Sequence, residues 1–385
     1  MQATRFADPS NNVWVLAEHG SDVTSVILAI PTTQWSREHY AAYDLIAEAW
    51  AYQVRKKLFE LNRVLPVNAY SSPDVVGVIV ETGPTDRCWL IDTLQQLSSP
   101  SLSRFAVPDE TRRAAVKRLY RSRSEISSLT SWSQASHNYS ISLEERVDAI
   151  WKSDLSDSLS VIDQHKKILV AVGQSLEPPE CVYPIATLSH RRAEDAIESP
   201  SKDAISFVHS RAAELAQVAI VTPGVFMNST RKADLHVFWT LMREREGVFY
   251  RLTRSRGGLI YSIAAFNREY HEGGFGLCVV SCAPPQVMKV VRCAREAAGS
   301  IASGNVQSAV MDSAIDFVAM ARSLAMRNPL AVAKALLASE LSMVPLEDYS
   351  SQIHSVTHNS VAATAQRTVH NPGWRIRVTV PGDPE

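Results

Sequence analysis

Two side chains able to act on a polarised carbonyl stand seven residues apart in RLTRSRGGLIYSIAAF (251–266): Arg254 and Tyr261. A guanidinium and a phenol both donate hydrogen bonds. Donors aimed at an oxygen that gains negative charge in a transition state stabilise it. The Gly257-Gly258 pair between them sets the geometry. Glycine reaches positive φ without a Cβ penalty, so the pair ends a helix, leaving Arg254 in its last turn and Tyr261 on an emerging strand. The two side chains then converge from two elements.

The other candidates point to structure. His354 and His358 (HSVTH) are four apart, a spacing that grips a metal on a helix. No glutamate lies between them as in HExxH, and NSVAATAQRTV continues as an amphipathic helix, so a structural pair is expected. Cys278 and Cys282 in FGLCVVSCA alternate like strand residues and read as core. GGFG (273–276) lacks the Lys-Ser/Thr of a phosphate loop and the helix that would follow. It reads as the start of a strand where side chains would clash. The basic helix ETRRAAVKRLYRSRSE (110–125) carries a single aromatic, Tyr120, and no groove-reading motif, so a solvated face is expected. GxSxG, HExxH, HxxEH and EF-hand loops are all missing from the chain.

The elements that must position these residues fall into two halves. At 385 residues the chain is too long for one ordinary core. In the first half, DVTSVILAIPT (22–32) precedes the helical EHYAAYDLIAEAWAYQVRKKLFEL; LAQVAIVTPGVF (215–226) and KADLHVFWTLMREREGVFYRLTR repeat that order in the second. KKILVAVGQ (166–174) and WRIRVTVPG (374–382) close the halves as strands ending at glycine. LPVNAYSSPDVVGVIVETG predicts two strands joined at Ser72-Pro73-Asp74, and LIYSIAAF with GGFGLCVVSCA a hairpin. The Pro- and Ser-rich segment 176–203 reads as a linker between halves 1–175 and 204–385. Strands and helices segregated in this way predict an α+β fold, each half an antiparallel or mixed sheet packed with helices.

Composition excludes several classes. Apolar residues make up 45% and charged residues 21%, ordinary for a globular chain. A net charge of −1 argues against nucleic acid or an anionic membrane surface as partner. No apolar run reaches the 18 or so residues of a membrane span. MQATRFADPSNNVW lacks signal-peptide features, and the five scattered cysteines suit reduced thiols, so a cytoplasmic location is expected.

RSRGGLIYSI resembles the C-terminal-half signature of the pitrilysin-like zinc peptidases, the group of insulysin and the mitochondrial processing peptidases, whose usual form is L-R-E-x-x-G-L-A-Y-S. Arg254, Gly258, Leu259, Tyr261 and Ser262 match it. VNAYSSPDVVGVIV (67–80) is similar to the N-A-x-T-x-x-D-x-T strand after the family's zinc helix, and IHSVTHNSVAATAQ (353–366) to its late I-x-x-V-T-x-x-D-V helix start. The active family binds zinc through H-x-x-E-H and a glutamate further on. Aligning backward from Asn68-Ala69 puts that motif on Leu45-Ile46-Ala47-Glu48-Ala49, with Glu125 at the distal ligand. Both histidines have become apolar, Leu45 and Ala49, and no metal is expected in this chain.

The resemblance implies a non-catalytic subunit of a heterodimeric zinc endopeptidase. Zinc and general base would come from a homologous HxxEH partner. Arg254 and Tyr261 would bind the scissile carbonyl of an extended peptide, a leader or precursor peptide among the family's substrates. The alternatives are an architectural subunit or a peptide-binding protein without proteolysis, with Arg254 capping helix carbonyls and Tyr261 packed at a sheet edge.

Overall fold

A computed structural model describes residues 3–10, 12–32, 37–83, 87–98, 108–121, 143–152, 166–178, 182–186, 203–211, 213–271, 273–370 and 373–382. The chain forms two compact units. Unit 1 comprises Met1–His190 with Leu324–Leu346; unit 2 comprises Arg191–Ser323 with Glu347–Glu385. The halves read from sequence follow chain order, and the compact units depart from that order in one element, the late segment that joins unit 1. Within the expected linker, Tyr183–Pro184 pairs with Phe6 and Ala7 as an edge strand of unit 1; 187–202 lies outside the described residues.

Unit 1 holds strands β1 (Ala3–Ala7), β2 (Val13–Glu18), β3 (Thr24–Pro31), β4 (Val67–Ser72), β5 (Val75–Thr82), β6 (Ile168–Gly173) and β7 (Tyr183–Pro184). They form one sheet in the order β4-β5-β3-β6-β2-β1-β7. The β2–β6 pair is parallel and the other pairings are antiparallel. The hairpin at Pro73-Asp74 and strands β3 and β6 stand where the sequence placed them, whereas β1 and β2 precede the first strand expected. β3 and β6 are buried along almost their whole length, so both faces of the sheet need a cover.

One cover is helix α1 (Arg37–Glu60), which packs Leu45, Ile46, Trp50, Val54 and Leu58 against Val26, Leu28, Ile30, Val76 and Val78. Helices α2 (Arg87–Ser98), α3 (Asp109–Arg121) and α4 (Leu143–Lys152) complete that side. The other face carries Ile27, Ala29, Val170 and Val172. Its cover comes from much later in the chain.

Unit 2 contains β8 (Ala204–Ser210), β9 (Ala216–Pro223), α5 (Lys232–Arg243), α6 (Val248–Ser255), β10 (Ile260–Tyr270), β11 (Gly273–Cys282), α7 (Val287–Ala302) and most of α8 (Ser308–Ala325). Next come α9 (Pro329–Ser342), α10 (Leu346–Ser355), α11 (His358–Ala365) and β12 (Arg375–Pro381). α9 is the missing cover of unit 1: Val332, Ala333, Leu336 and Leu337 pack on Ile27, Ala29, Val170 and Val172. Asn328 caps it by accepting the Ala331 N–H, Pro329 occupies its first turn, and Met343 ends it in the left-handed region. Arg5 of β1 holds it through a two-pronged ion pair to buried Glu340, at 2.7 and 2.8 Å.

The sheet of unit 2 runs β10-β11-β9-β12-β8, with β8–β12 parallel. A Cβ on Gly276 would lie 2.0 Å from the Trp239 ring, and one on Gly274 2.3 Å from the Val225 carbonyl. GGFG is therefore the strand start expected, and it lets β11 pass close beneath α5. Cys278 and Cys282 are buried core residues, their thiols pushed by burial up to about 12 and about 11. The histidine pair is split between two helices. Thr357 opens α11 with a capping box, His354 bonds the Ser350 carbonyl, and His358 pairs with Asp312 at 2.8 Å. Among the described residues no cluster fit to hold a metal occurs.

One polar cluster lies inside unit 2. The Glu269 carboxylate accepts from His236 Nε2 (2.8 Å) and from Asn267 Nδ2 (2.7 Å), with Lys232 Nζ at 3.5 Å. Burial would raise its pKa, but Lys232, His236 and Asn267 together outweigh burial and hold it well below the usual carboxylate range.

Two outcomes are expected. Leu337→Ala opens a cavity under the unit 1 sheet and lowers unfolding free energy by about 2–5 kcal/mol in chemical denaturation. Because the folded pKa of Glu269 is depressed, its contribution is present above the unfolded value of 4.5 and lost as pH falls below it. The Tm gap between wild type and Glu269→Gln is therefore widest near pH 7 and narrows from about pH 5 downward. A gap that widens in acid refutes this account.

Candidate functional site

The Arg254–Tyr261 segment is built by a helix that stops and a strand that bulges. α6 starts at Gly247, where a Cβ would lie 2.2 Å from the Leu241 carbonyl. It buries Phe249 and Thr253 and leaves Arg254 exposed in its last turn. Gly257 (φ 96°) and Gly258 (φ 68°) then turn the chain through the left-handed region. Nothing lies within 4 Å of a Cβ at either, so backbone conformation alone calls for glycine there. The Gly258 and Leu259 N–H groups return to the Thr253 carbonyl, and buried Leu259 pins the turn.

Tyr261 is the extra residue of a β-bulge. Ile260 pairs with Cys282 and Ser262 with Ser281, leaving Tyr261 without a cross-strand partner. A bulge re-aims the side chain it carries, and Tyr261 is 69% exposed. Ser262 beside it donates to Ser281 Oγ at 2.9 Å. The strand is a sheet edge. Among the described residues no carboxylate pairs with Arg254. Its guanidinium reaches Tyr250, one turn back, together with Arg245; hydrogen bonding from Arg245 is the largest influence, and the two arginines hold that phenol below its usual pKa. The helix-to-strand placement matches the sequence reading. The bulge left no trace in the spacing.

In unit 1 the positions that the sequence reading aligned with the zinc motif, Leu45 to Ala49, lie within α1. Leu45 is buried in the apolar core and Ala49 is buried too. Glu48 is buried between two guanidinium groups, Arg55 at 3.6 Å and Arg118 at 3.8 Å. Asp44, one helical turn earlier, accepts from Ser71 Oγ at 2.8 Å and pairs with Arg146. Arg118 donates to Ser71 Oγ at 3.2 Å, and Arg55 to the Val67 carbonyl at 3.1 Å.

These residues do not fit zinc. Two of the three aligned motif positions offer no donor atom, and positive charge already stands beside the third. Glu125, the expected distal position, lies outside the described residues. The solvated-face reading of the basic helix needs correction at two positions. Arg118 turns inward to Glu48 and Ser71, and Arg112 donates to the Ile150 carbonyl. Asp44, Ser71, Arg118 and Arg146 were missed in the sequence, although two acids four apart on an apolar helix signal a buried polar face.

Residues 185–317 match the family model described as Peptidase M16 inactive domain. No curated protein matches significantly. Among solved structures, a protease from Helicobacter pylori shares the fold at TM-score 0.75 and 11% identity, over 99% of this chain and 99% of that one. A chain of complex III2 from Candida albicans, with Inz-5 bound, does so at 0.77 and 12%, over 98% and 95%. A peptidase M16 inactive domain from Pseudomonas fluorescens does so at 0.73 and 10%, over the whole of both chains.

The charge pattern around Glu48 gives a direct test. Leu45→His/Ala49→His restores the two imidazoles on α1, yet with Arg55 and Arg118 on the glutamate the variant is expected to bind no zinc above wild type in equilibrium dialysis. Stoichiometric zinc in that variant would show that the guanidinium groups do not fill the site.

Proposed function

We propose that this chain, whose residues 185–317 match the peptidase M16 inactive domain and which has the fold of M16-like structures throughout, is the non-catalytic subunit of a two-chain zinc endopeptidase. The observation that carries this reading is the contrast between its two units. The unit 1 positions aligned with the zinc motif carry no imidazole, while unit 2 carries an arginine at a helix end and a tyrosine on a bulge, both exposed.

In this reading Arg254 and Tyr261 donate hydrogen bonds to the scissile carbonyl oxygen of a peptide held extended against a sheet edge. Metal and general base belong to a homologous HxxEH partner. The Tyr261 hydroxyl suits the task because the bulge frees it from cross-strand packing. Arg254 suits it because no carboxylate competes for its charge among the described residues. The peptide is a precursor or leader segment in this proposal.

The fold shared with a chain of complex III2 supports a second reading, an architectural subunit. One measurement separates the two: the mass and zinc content of the tagged chain purified from its native host. A 1:1 complex with an HxxEH protein holding about one zinc per pair supports the peptidase. A zinc-free assembly supports the architectural role. In the complex, Arg254→Ala and Tyr261→Phe are each expected to slow cleavage by roughly 10²–10³ with assembly unchanged. Normal cleavage by both variants would remove these residues from the mechanism.

A further inference from the structure

The chain leaves unit 2 after Ser323, supplies α9 to unit 1, and re-enters unit 2 at Glu347. Apolar packing at these two roots is thin. At the end of α8, Met320 and Leu324 are 61% and 62% exposed. On the return, α10 fully buries only Ile353. α9 itself is firmly held in unit 1 by its apolar face and by Arg5–Glu340.

The roots in unit 2 are instead joined by polar groups. Arg322, at the outgoing root, places its guanidinium 5.2 Å from the centre of the Tyr349 ring, at the returning root. Lys232 Nζ lies 5.2 Å from the same ring, and His236 meets it edge-on at 5.5 Å. The Tyr349 hydroxyl bonds His236 Nδ1. Ionised Glu269 can only accept, so His236 Nε2 carries the proton and, in the neutral ring, Nδ1 receives the Tyr349 hydrogen. Burial, with the Glu269 charge nearby, raises the Tyr349 pKa and keeps the phenol a donor.

We propose that Arg322, Tyr349, His236, Lys232 and Glu269 form a polar latch that fastens both ends of the crossing segment to unit 2. The latch is a conformational device: its opening loosens the two roots while α9 stays docked in unit 1 and the apolar core of unit 2 stays closed. The position of Tyr349 supports this, since one side chain at the returning root gathers contacts from α5 and from the outgoing root. Arg322 Nε and Asn267 Oδ1 are buried without a hydrogen-bond partner among the described residues, and a partly satisfied buried network opens more readily than a complete one.

Hydrogen exchange of the full chain tests it. Tyr349→Phe removes one hydroxyl and keeps the ring. Exchange across 319–327 and 344–353 is expected to accelerate roughly tenfold, as for loss of one buried hydrogen bond, with β9 and β11 unchanged. Arg322→Met is expected to give the same pattern. Unchanged exchange at both roots in both variants would overturn the latch. Equal acceleration in β9 and β11 would also overturn it, since the cluster would then be a general stabiliser of unit 2.

Discussion

A sheet whose strands are apolar on both faces must be covered on both, and that requirement organises this molecule. α1 follows β3 directly and covers one face with Leu45, Ile46 and Trp50. No helix of the first half among the described residues covers the other. Ile27, Ala29, Val170 and Val172 wait for Leu336 and Leu337, residues made after most of unit 2. At about 25 cal/mol per Å² of apolar surface, leaving that face wet is far costlier than closing a long loop, whose entropy grows only logarithmically with length. The crossing between units follows from this, and so does the need to fasten its ends.

The site chemistry follows from where buried charge can be balanced. On α1, a carboxylate at position 48 cannot stay buried and ionised alone. In a metal site the cation would balance it; here Arg55 and Arg118 do. The absence of imidazoles at Leu45 and Ala49 and the inward turn of Arg118 are thus consistent parts of one electrostatic arrangement. Arg254 stands in the opposite situation, exposed and, among the described residues, without a carboxylate partner.

Much of this was legible in the sequence, for physical reasons. Strand, helix and hairpin order came from apolar periodicity and from glycine and proline punctuation, as at Ser72-Pro73-Asp74 and Gly257-Gly258. The histidine pair read as structural from the missing glutamate and the helix start after it, and in the structure Thr357 caps that start and breaks the helical spacing of His354 and His358. What escaped were long-range facts. Nothing local marks α9 as belonging to unit 1, because its apolar residues would suit any sheet. Arg118 and Arg112 look like surface charge until α1 and α4 are placed beside them. The bulge at Tyr261 depends on register against β11, which no single strand encodes.

The two units repeat one device with different residues, and the comparison bears on how each is read. In each, the hairpin that follows a long helix begins with a sheet-edge strand whose penultimate residue reaches back to that helix: Ser71 bonds Asp44 of α1, and Glu269 bonds His236 of α5. In each, an arginine from a later helix joins the cluster, Arg118 from α3 in one and Arg322 from α8 in the other. A position that ties helix, edge strand and later helices together carries strong structural demands in both units. Its charged residues each face an oppositely charged or polar partner, which suits a fastening. The exposed pair, Arg254 and Tyr261, lies outside this device. Their placement is set by a helix stop at Gly257-Gly258 and a bulge at Tyr261. That asymmetry is the physical ground on which the proposed function rests on the bulge, with the clusters read as structure.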